Sequence, residues 1–348
     1  MADKPEKSLL RRIQYRLTLI LAVMVITGVI FAVFLYQYAT TPAGESAEEQ
    51  VVEIQPGMTL KQVSHVLADK KLLNEPRAFM LYTYLQGEQN GIQAGEYRFS
   101  PSLSPRDILQ SLTNGLAILY TVTIPEGYRI TEIAELLESK GLVAKEKFIE
   151  ETRKPELLAS LNIPSGSLEG YLYPETYKFS KTAGAQRIVK TLLDTFKERV
   201  LQPGRVQRAE AMKFTFHEIV TLASLIEKET GLGEERTLIS SVFHNRLVKK
   251  MRLQTDPTVI YAMVNFDGNI RKKDLSIDSP YNTYKHFGLP PGQIASPGLE
   301  SIQAALEPEN SEFLYFVSRK NGSHQFSTNY KDHTRAVRKY QLSHRARG

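Results

Sequence analysis

The chain has 348 residues, 24% of them charged and 42% apolar, a balance that suits a folded protein with room for more than one domain and core. With no cysteine, disulfide scaffolds and thiolate metal sites are excluded. The net charge of +6 is interspersed with Asp and Glu rather than gathered in a Lys/Arg block, so no nucleic acid partner is expected, whereas an anionic polymer stays allowed.

Leu17 to Tyr36 is a run of twenty residues without a charge. At about 1.5 Å per residue it spans roughly 30 Å, the hydrocarbon thickness of a bilayer. It is longer than the apolar stretch of a signal peptide, and QYATTPAGES after it makes a poor cleavage site. Lys4, Lys7, Arg11, Arg12 and Arg16 precede it while Glu45, Glu48, Glu49 and Glu53 follow, so the positive-inside rule puts the N-terminus in the cytoplasm. The expected plan is a cytoplasmic tail over 1–16, a transmembrane helix over 17–38 and a tether over 39–50.

An internal repeat comes next. IQPGMTLKQVSHVLADKKL from Ile54 matches IPEGYRITEIAELLESKGL from Ile124 at a constant offset of 70, pairing Gly57 with Gly127 and Val63 with Ile133. Each copy reads as a strand, a glycine turn and an amphipathic helix. YRFS at Tyr97 recurs as YKFS at Tyr177, each before a helix, Arg106 to Leu112 and Gln186 to Leu192. Two βα units are predicted, over 51–120 and 121–205. Between the second unit and the helix that starts near Ile219, Glu169, Tyr171, Tyr173, Glu175 and Tyr177 are spaced by two, which puts them on one face of an extended segment. Stacking on sugar rings and an aromatic cross-strand ladder both explain them. A helix is expected over Arg187 to Val200 and a loop over Gln202 to Arg208.

From Ile219 apolar residues recur at helical spacing, with Glu227 at the edge of the stripe and Lys228 on the opposite side. A carboxyl at such a margin loses water on packing, which raises its pKa and suits it to donate a proton. Glu229 also lies in the apolar arc, but about 200° round the helix, so the two carboxylates cannot form a dyad and spacing does not choose between them. Beyond a glycine break, Glu234 to Leu247 resumes a helix. Asp256-Pro257 has the chemistry of a helix start, which makes Asp256 a cap and leaves Gln254 and Thr255 free to face a cleft. Tyr281, Asn282 and Tyr284 precede GLPPGQIASPG, a stiff loop able to hold a ligand. Ser296-Pro297 reads as the start of a helix to Leu306, Asn321-Gly322 marks a hairpin, and Lys331 to Ser343 reads as a closing helix. His324 and His333 could contact a charged or sugar group, but by default they are surface histidines without a partner.

SLIEKET, SVFHNRL, MRLQTDPTVIY, YNTY and GLPPGQIASPG, in that order, resemble the endolytic murein transglycosylase family, MltG/YceG-like, over most of the chain after its N-terminal segment. The resemblance implies an α+β protein: a transmembrane helix, a small LysM-like module used to hold N-acetylated glycans, and a mixed α/β catalytic domain over 206–348. It implies that Glu227, the first Glu of EKET, is the acid, that the QTDPT string touches substrate, and that the stretch with Glu169 and Tyr173 walls the cleft. The implied home is the bacterial inner membrane with the catalytic part outside the cytoplasm. The implied partners are peptidoglycan strands and, further, peptidoglycan synthases.

Other chemistries lack their residues. His217-Glu218 begins like a zinc motif, but Thr221 stands where the second His belongs; no phosphate-cradling loop and no G-x-S-x-G elbow occurs, so neither metal nor cofactor is expected. A glycoside hydrolase needs two carboxylates. A lytic transglycosylase needs one, which protonates the bond between N-acetylmuramic acid and N-acetylglucosamine and then takes the proton of the muramyl C6 hydroxyl as a 1,6-anhydro ring closes. The single-acid scheme fits better. A muramidase with Glu169, Glu175 or Asp256 as second carboxylate, and a non-catalytic glycan-binding scaffold, are the alternatives.

Overall fold

The computed structural model describes residues 5–342, with side chains from Arg11 onward. Lys4, part of the expected cytoplasmic tail, and Ser343, the end of the expected closing helix, lie outside them. The chain divides into two compact units, Met1–Leu119 with Ser180–Thr182, and Tyr120–Phe179 with Ala183–Gly348.

The first unit begins with α1 (Pro5–Thr40), an unbroken helix whose apolar part has a mean hydropathy of 2.8, long and apolar enough to cross a membrane. Then come β1 (Gln50–Ile54), α2 (Leu60–Asp69), α3 (Pro76–Leu85), β2 (Gly95–Phe99) and α4 (Pro105–Thr113). β1 and β2 pair antiparallel with Val52 opposite Tyr97, and their inward side chains close a core with Val63, Leu67, Phe79 and Ile108. Period-two alternation on the strands and the i, i+4 spacing of Val63 and Leu67 aim these residues inward. The expected tether is not free chain: Gly44 N–H donates to Pro101 O (3.0 Å), Ser102 N–H donates to Ser46 O (3.1 Å), and Ala39 is buried. Main-chain hydrogen bonds, invisible to a compositional reading, hold it on the unit.

The second unit repeats the pattern in β3 (Tyr120–Thr123), α5 (Ile130–Ser139), α6 (Lys145–Glu151), the short α7 (Pro155–Ala159), β4 (Thr176–Phe179) and α8 (Gly184–Arg199). β3 and β4 again pair antiparallel. The correspondence reaches individual bonds. Gly57 and Gly127 both turn at positive φ, +83° and +76°, and Val63 and Ile133 are both fully buried. The Tyr97 hydroxyl donates to Gln93 O and that of Tyr177 to Tyr173 O, each at 2.7 Å and four residues back. Each of these tyrosines stacks on the Phe two positions on, at 5.6 and 5.7 Å.

Here the copy does not stand alone. It shares one core with α9 (Pro203–Ala211), α10 (Phe216–Glu229), α11 (Arg236–Val248), α12 (Asp256–Ala262) and α13 (Leu299–Leu306). A hairpin of β5 (Tyr315–Ser318) and β6 (His324–Ser327) turns at Asn321-Gly322 as its dipeptide predicts, and α14 (Tyr330–Val337) follows, passing into a wider helical turn over 338–342. Residues expected as a loop form α9, because Pro203 sits at the first helical position, where a missing N–H harms nothing. The expected one-face ladder from Glu169 to Tyr177 does not form either. Only Thr176–Phe179 is strand, and Tyr171 turns into the core to bond His217 Nδ1 at 2.8 Å.

Helix α10 is the centre of this core. Thr215 caps it, accepting from Glu218 N–H (3.2 Å) while Glu218 accepts from Thr215 N–H (2.7 Å), and all residues from Ile219 to Ile226 are buried. The GLPPGQIASPG loop, expected to be a stiff loop able to hold a ligand or only a turn, has its residues 292–298 buried against this helix. Gln293 donates to His217 O and to Thr221 Oγ1, both at 3.2 Å, and Ile294 N–H donates to Ser224 Oγ at 3.1 Å. Gln293 Nε2 and the Ile294 N–H thus satisfy polar groups of the helix, and the loop is an internal strap.

Glycine substitutions separate two demands. Gly57 needs only its positive φ, with open space around it, so Gly57→Ala should lower stability by about 1–2 kcal/mol. Gly170 combines φ +80° with a position where a methyl would overlap the Gln293 side chain, so Gly170→Ala should be much worse. Gly204, inside α9 with neither constraint, should gain slightly as Ala. Urea unfolding of the three variants checks that order.

Candidate active site

The last turn of α10 carries both motif carboxylates, and they part. Glu227 Oε2 accepts from Gly298 N–H (3.0 Å) and Ser301 Oγ (2.7 Å), which closes the N-terminus of α13. That is the work expected of Ser296-Pro297, which instead lie buried in the strap. Glu227, the expected acid, thus caps a neighbouring helix and is not among the residues that line the hollow described next.

Glu229 points the other way, into a hollow of about 360 Å³ lined also by Arg246, Leu253, Gln254, Asp256, Tyr284, Tyr315 and His333. Its Oε1 accepts from the Thr255 hydroxyl. Burial pushes its carboxyl up to about 7; the Thr255 hydrogen bond opposes this, the nearby Asp256 charge adds to it, and Arg246 opposes it. A carboxyl so poised holds a proton near neutrality and can release it.

Opposite Glu229, the QTDPT turn is rigidly mounted. Gln254 has φ +48°, a left-handed conformation uncommon outside glycine, and its N–H donates to Thr283 O at 3.2 Å. Thr255 N–H donates to Thr283 Oγ1 (3.0 Å), which also bonds Thr258 Oγ1 (2.9 Å). Thr255, not Asp256, occupies the cap position of α12, and the Asp256 carboxylate instead accepts from the Tyr284 hydroxyl at 2.5 Å. Burial, followed by the Asp256 carboxylate, pushes the Tyr284 hydroxyl far above the usual range, so this bond has Tyr284 as donor. Arg246 ties the wall together, donating from Nε to Leu314 O and from Nη1 to Leu253 O, both at 2.7 Å, with its guanidinium 5.1 Å from the Tyr315 ring centre.

Of the other expected site residues, Asn282 is fully buried and donates to Leu275 O (3.0 Å) and Ile277 O (2.8 Å), so it shapes the loop rather than meeting a ligand. Tyr281 packs on Tyr261, ring centres 4.8 Å apart, beside a different buried carboxyl. That carboxyl is Glu169, which accepts from Ile130 N–H (3.0 Å) at the start of α5 and from Tyr261 Oη (3.4 Å), and which burial pushes up to about 7. Tyr173 is partly buried against the core, its carbonyl taken by Tyr177, and Glu175 pairs with Arg199 at 3.3 Å. None of these five lines the Glu229 hollow. The spacing-by-two that grouped Glu169, Tyr173 and Glu175 fails because the segment bends before β4.

Two histidines depart from the surface default. His324 Nδ1 lies 2.7 Å from Glu235 Oε2, and His333 stacks on Tyr315 at 5.1 Å inside the hollow, where burial and then Arg246 push its pKa down. Sequence reasoning missed Arg246 and Tyr315 and left His333 at the surface, because the three reach the hollow from α11, β5 and α14. For Glu229 a signal existed: a carboxylate in the last turn of a helix opposes the macrodipole, and that wants a reason. A larger hollow of about 450 Å³ by Phe313, Phe326, Asp332, Arg335 and Tyr340 holds none of the motif residues. Among the described residues no group of three or more His, Asp or Glu is placed to hold a metal ion.

Known proteins are similar to this chain over most of its length. The chain is 35% identical over 313 residues to a Bacillus subtilis protein named endolytic murein transglycosylase, covering 83% of this chain and 84% of that one. It is 32% identical to the Streptococcus pneumoniae protein of the same name, over 87% of this chain and 61% of the longer relative. A crystal structure of a yceG-like protein from Listeria monocytogenes superposes with a TM-score of 0.57 at 34% identity, over 83% of this chain and 99% of that one. The model of the YceG-like family matches residues 52–339. From β1 to the turn after α14, this chain belongs to the YceG-like family.

Proposed function

We propose that the protein is a membrane-anchored endolytic transglycosylase that cuts peptidoglycan strands between N-acetylmuramic acid and N-acetylglucosamine and leaves 1,6-anhydro ends, with Glu229 rather than Glu227 as its acid and base. The observation that carries the assignment is that Glu229 alone of the two EKET carboxylates opens into the hollow formed by the QTDPT turn, and does so with a carboxyl held near 7. The names of the bacillar and streptococcal relatives support the reaction.

The protonated Glu229 donates to the glycosidic oxygen as the bond to the muramyl C1 breaks. The carboxylate left behind keeps the Thr255 hydrogen bond and the field of Arg246, which steady it while it waits for the C6 hydroxyl. It then accepts that hydroxyl's proton as O6 attacks C1 and closes the ring, so one group serves twice and no water enters. The Asp256 carboxylate, held by Tyr284, keeps negative charge nearby and disfavours premature ionisation of Glu229. Gln254, forced into its turn, offers an amide to sugar hydroxyl or acetamido groups. The apolar helix anchors the enzyme with its N-terminus cytoplasmic and the cleft outside, where it ends glycan elongation near the synthases. The first unit, with two antiparallel strands around two helices, is read as the LysM-like glycan holder.

Glu229→Gln should lower the rate by about 10² to 10⁴ or more while leaving the fold intact. Glu227→Ala should instead lower stability by about 1 kcal/mol through loss of the α13 cap and keep most activity. Mass spectrometry of digested uncross-linked strands reads the chemistry, since anhydro ends are one water lighter than reducing ends. Inactive Glu227→Gln beside active Glu229→Gln would reverse the assignment, and reducing ends would move it to a two-carboxylate muramidase with Asp256.

The pH profile tests the same group. Because the raised carboxyl must be protonated to start the reaction, kcat/KM should fall as pH rises through about 7. Asp256→Asn removes a neighbouring negative charge, which makes ionisation of Glu229 easier, so the alkaline limb should move to lower pH.

A further inference from the structure

Helix α1 does not end where its apolar run ends. Along that run its side chains stand free, Ile30 at 64% and Phe34 at 53% exposure, but Leu35 and Ala39 are buried against the first unit and the Tyr38 hydroxyl donates to Glu75 O at 2.9 Å. The last turns of the apolar helix are thus also part of the folded unit. If the run from Leu17 to Tyr36 fills about 30 Å of hydrocarbon, Leu35 and Tyr36 stand at one boundary of the bilayer.

At that level lies a groove of about 430 Å³, lined on one side by Ala32, Leu35 and Tyr36 of α1 and on the other by Tyr82, Leu85 and Arg106. Ala32 is four residues below Tyr36, about 6 Å deeper along the helix. Leu85, facing the same groove, therefore lies at or within the hydrocarbon boundary. The end of α3 is built for that place: Leu81, Tyr84 and Leu85 are exposed, an apolar and aromatic tip uncovered by the described residues. Tyrosines collect where headgroups meet acyl chains, and a water-facing tip would gain nothing from two leucines. Arg106 is exposed at the groove's polar side and forms no ion pair among the described residues. Its fork of N–H donors suits a phosphate, and its stem suits an apolar wall.

We propose that the first unit is seated in the membrane surface by the tip of α3, and that the groove between α1 and this tip holds one phospholipid, its phosphodiester on Arg106 and an acyl chain along Ala32 and Leu35. The site is independent of the chemistry in the Glu229 cleft, and it fixes the unit against the bilayer where a single helix alone leaves it free to swivel.

The chain contains no tryptophan, so Leu85→Trp and Tyr84→Trp each introduce one fluorescent reporter. With the full chain in nanodiscs, lipids brominated on the acyl chain should quench most of the emission of either variant, and aqueous iodide should quench far less than it quenches N-acetyltryptophanamide. Iodide quenching at that free level with no effect of bromolipid would overturn the seating. For the groove, native mass spectrometry of chains released from phosphatidylglycerol or phosphatidylcholine discs should show a retained phospholipid from both, since both carry the phosphodiester. Arg106→Gln should lose it, whereas Gln replacing the exposed Arg77 should not. Equal retention in the two variants, with circular dichroism showing both folded, would overturn the lipid site.

Discussion

The structure depends on the complete burial of α10. Eight successive residues from Ile219 to Ile226 have no solvent face, so the helix must be matched on every side, by apolar residues where it is apolar and by hydrogen bonds where it is not. Gln293 and Ile294 of the strap answer the hydroxyls of Thr221 and Ser224. A helix held on all sides cannot rotate, and the two carboxylates of its last turn acquire fixed and opposite directions. One closes the end of α13 and the other reaches the hollow.

The hollow itself is preorganised by bonds that no substrate need make. Thr283 accepts from Thr255 N–H, bonds Thr258, and offers its carbonyl to Gln254, while Arg246 draws β5 and the Leu253 turn together. Such a frame holds Gln254 in a conformation that costs of order 1–3 kcal/mol, strain that only an over-determined surrounding sustains. Buried polar networks of this kind set the position of a reacting group more than they add stability.

The two βα units show the same local physics put to different ends. The Tyr97 and Tyr177 bonds, their stacked phenylalanines and the paired glycine turns arise from the same residues at the same spacing. In the first unit the strands and helices close a core of their own. In the second, the longer segment between α6 and β4 carries Leu168, Tyr171 and Leu172 into the core around α10, and Glu169 caps α5 from the same stretch. The two units share one folding pattern, and the longer segment of the second merges it with the helices of the site.

How much was legible follows from the range of each interaction. The apolar helix, the repeat, the α10 stripe, the Asn321-Gly322 hairpin and the start of α12 are written in neighbouring residues, because periodicity, turn chemistry and helix starts act within a few positions. The sequence by itself also determined that Glu227 and Glu229 point apart, since about 200° of helix separates them. Which of them meets the cleft was decided only by tertiary structure. That choice depends on Gly298 and Ser301 arriving beside one carboxylate and Thr255 beside the other, across sequence separations that no local pattern records. The burial of Asn282, the Asp256–Tyr284 bond and the arrival of His333 belong to the same class, because each is set by what the folded chain brings near and not by the residues on either side.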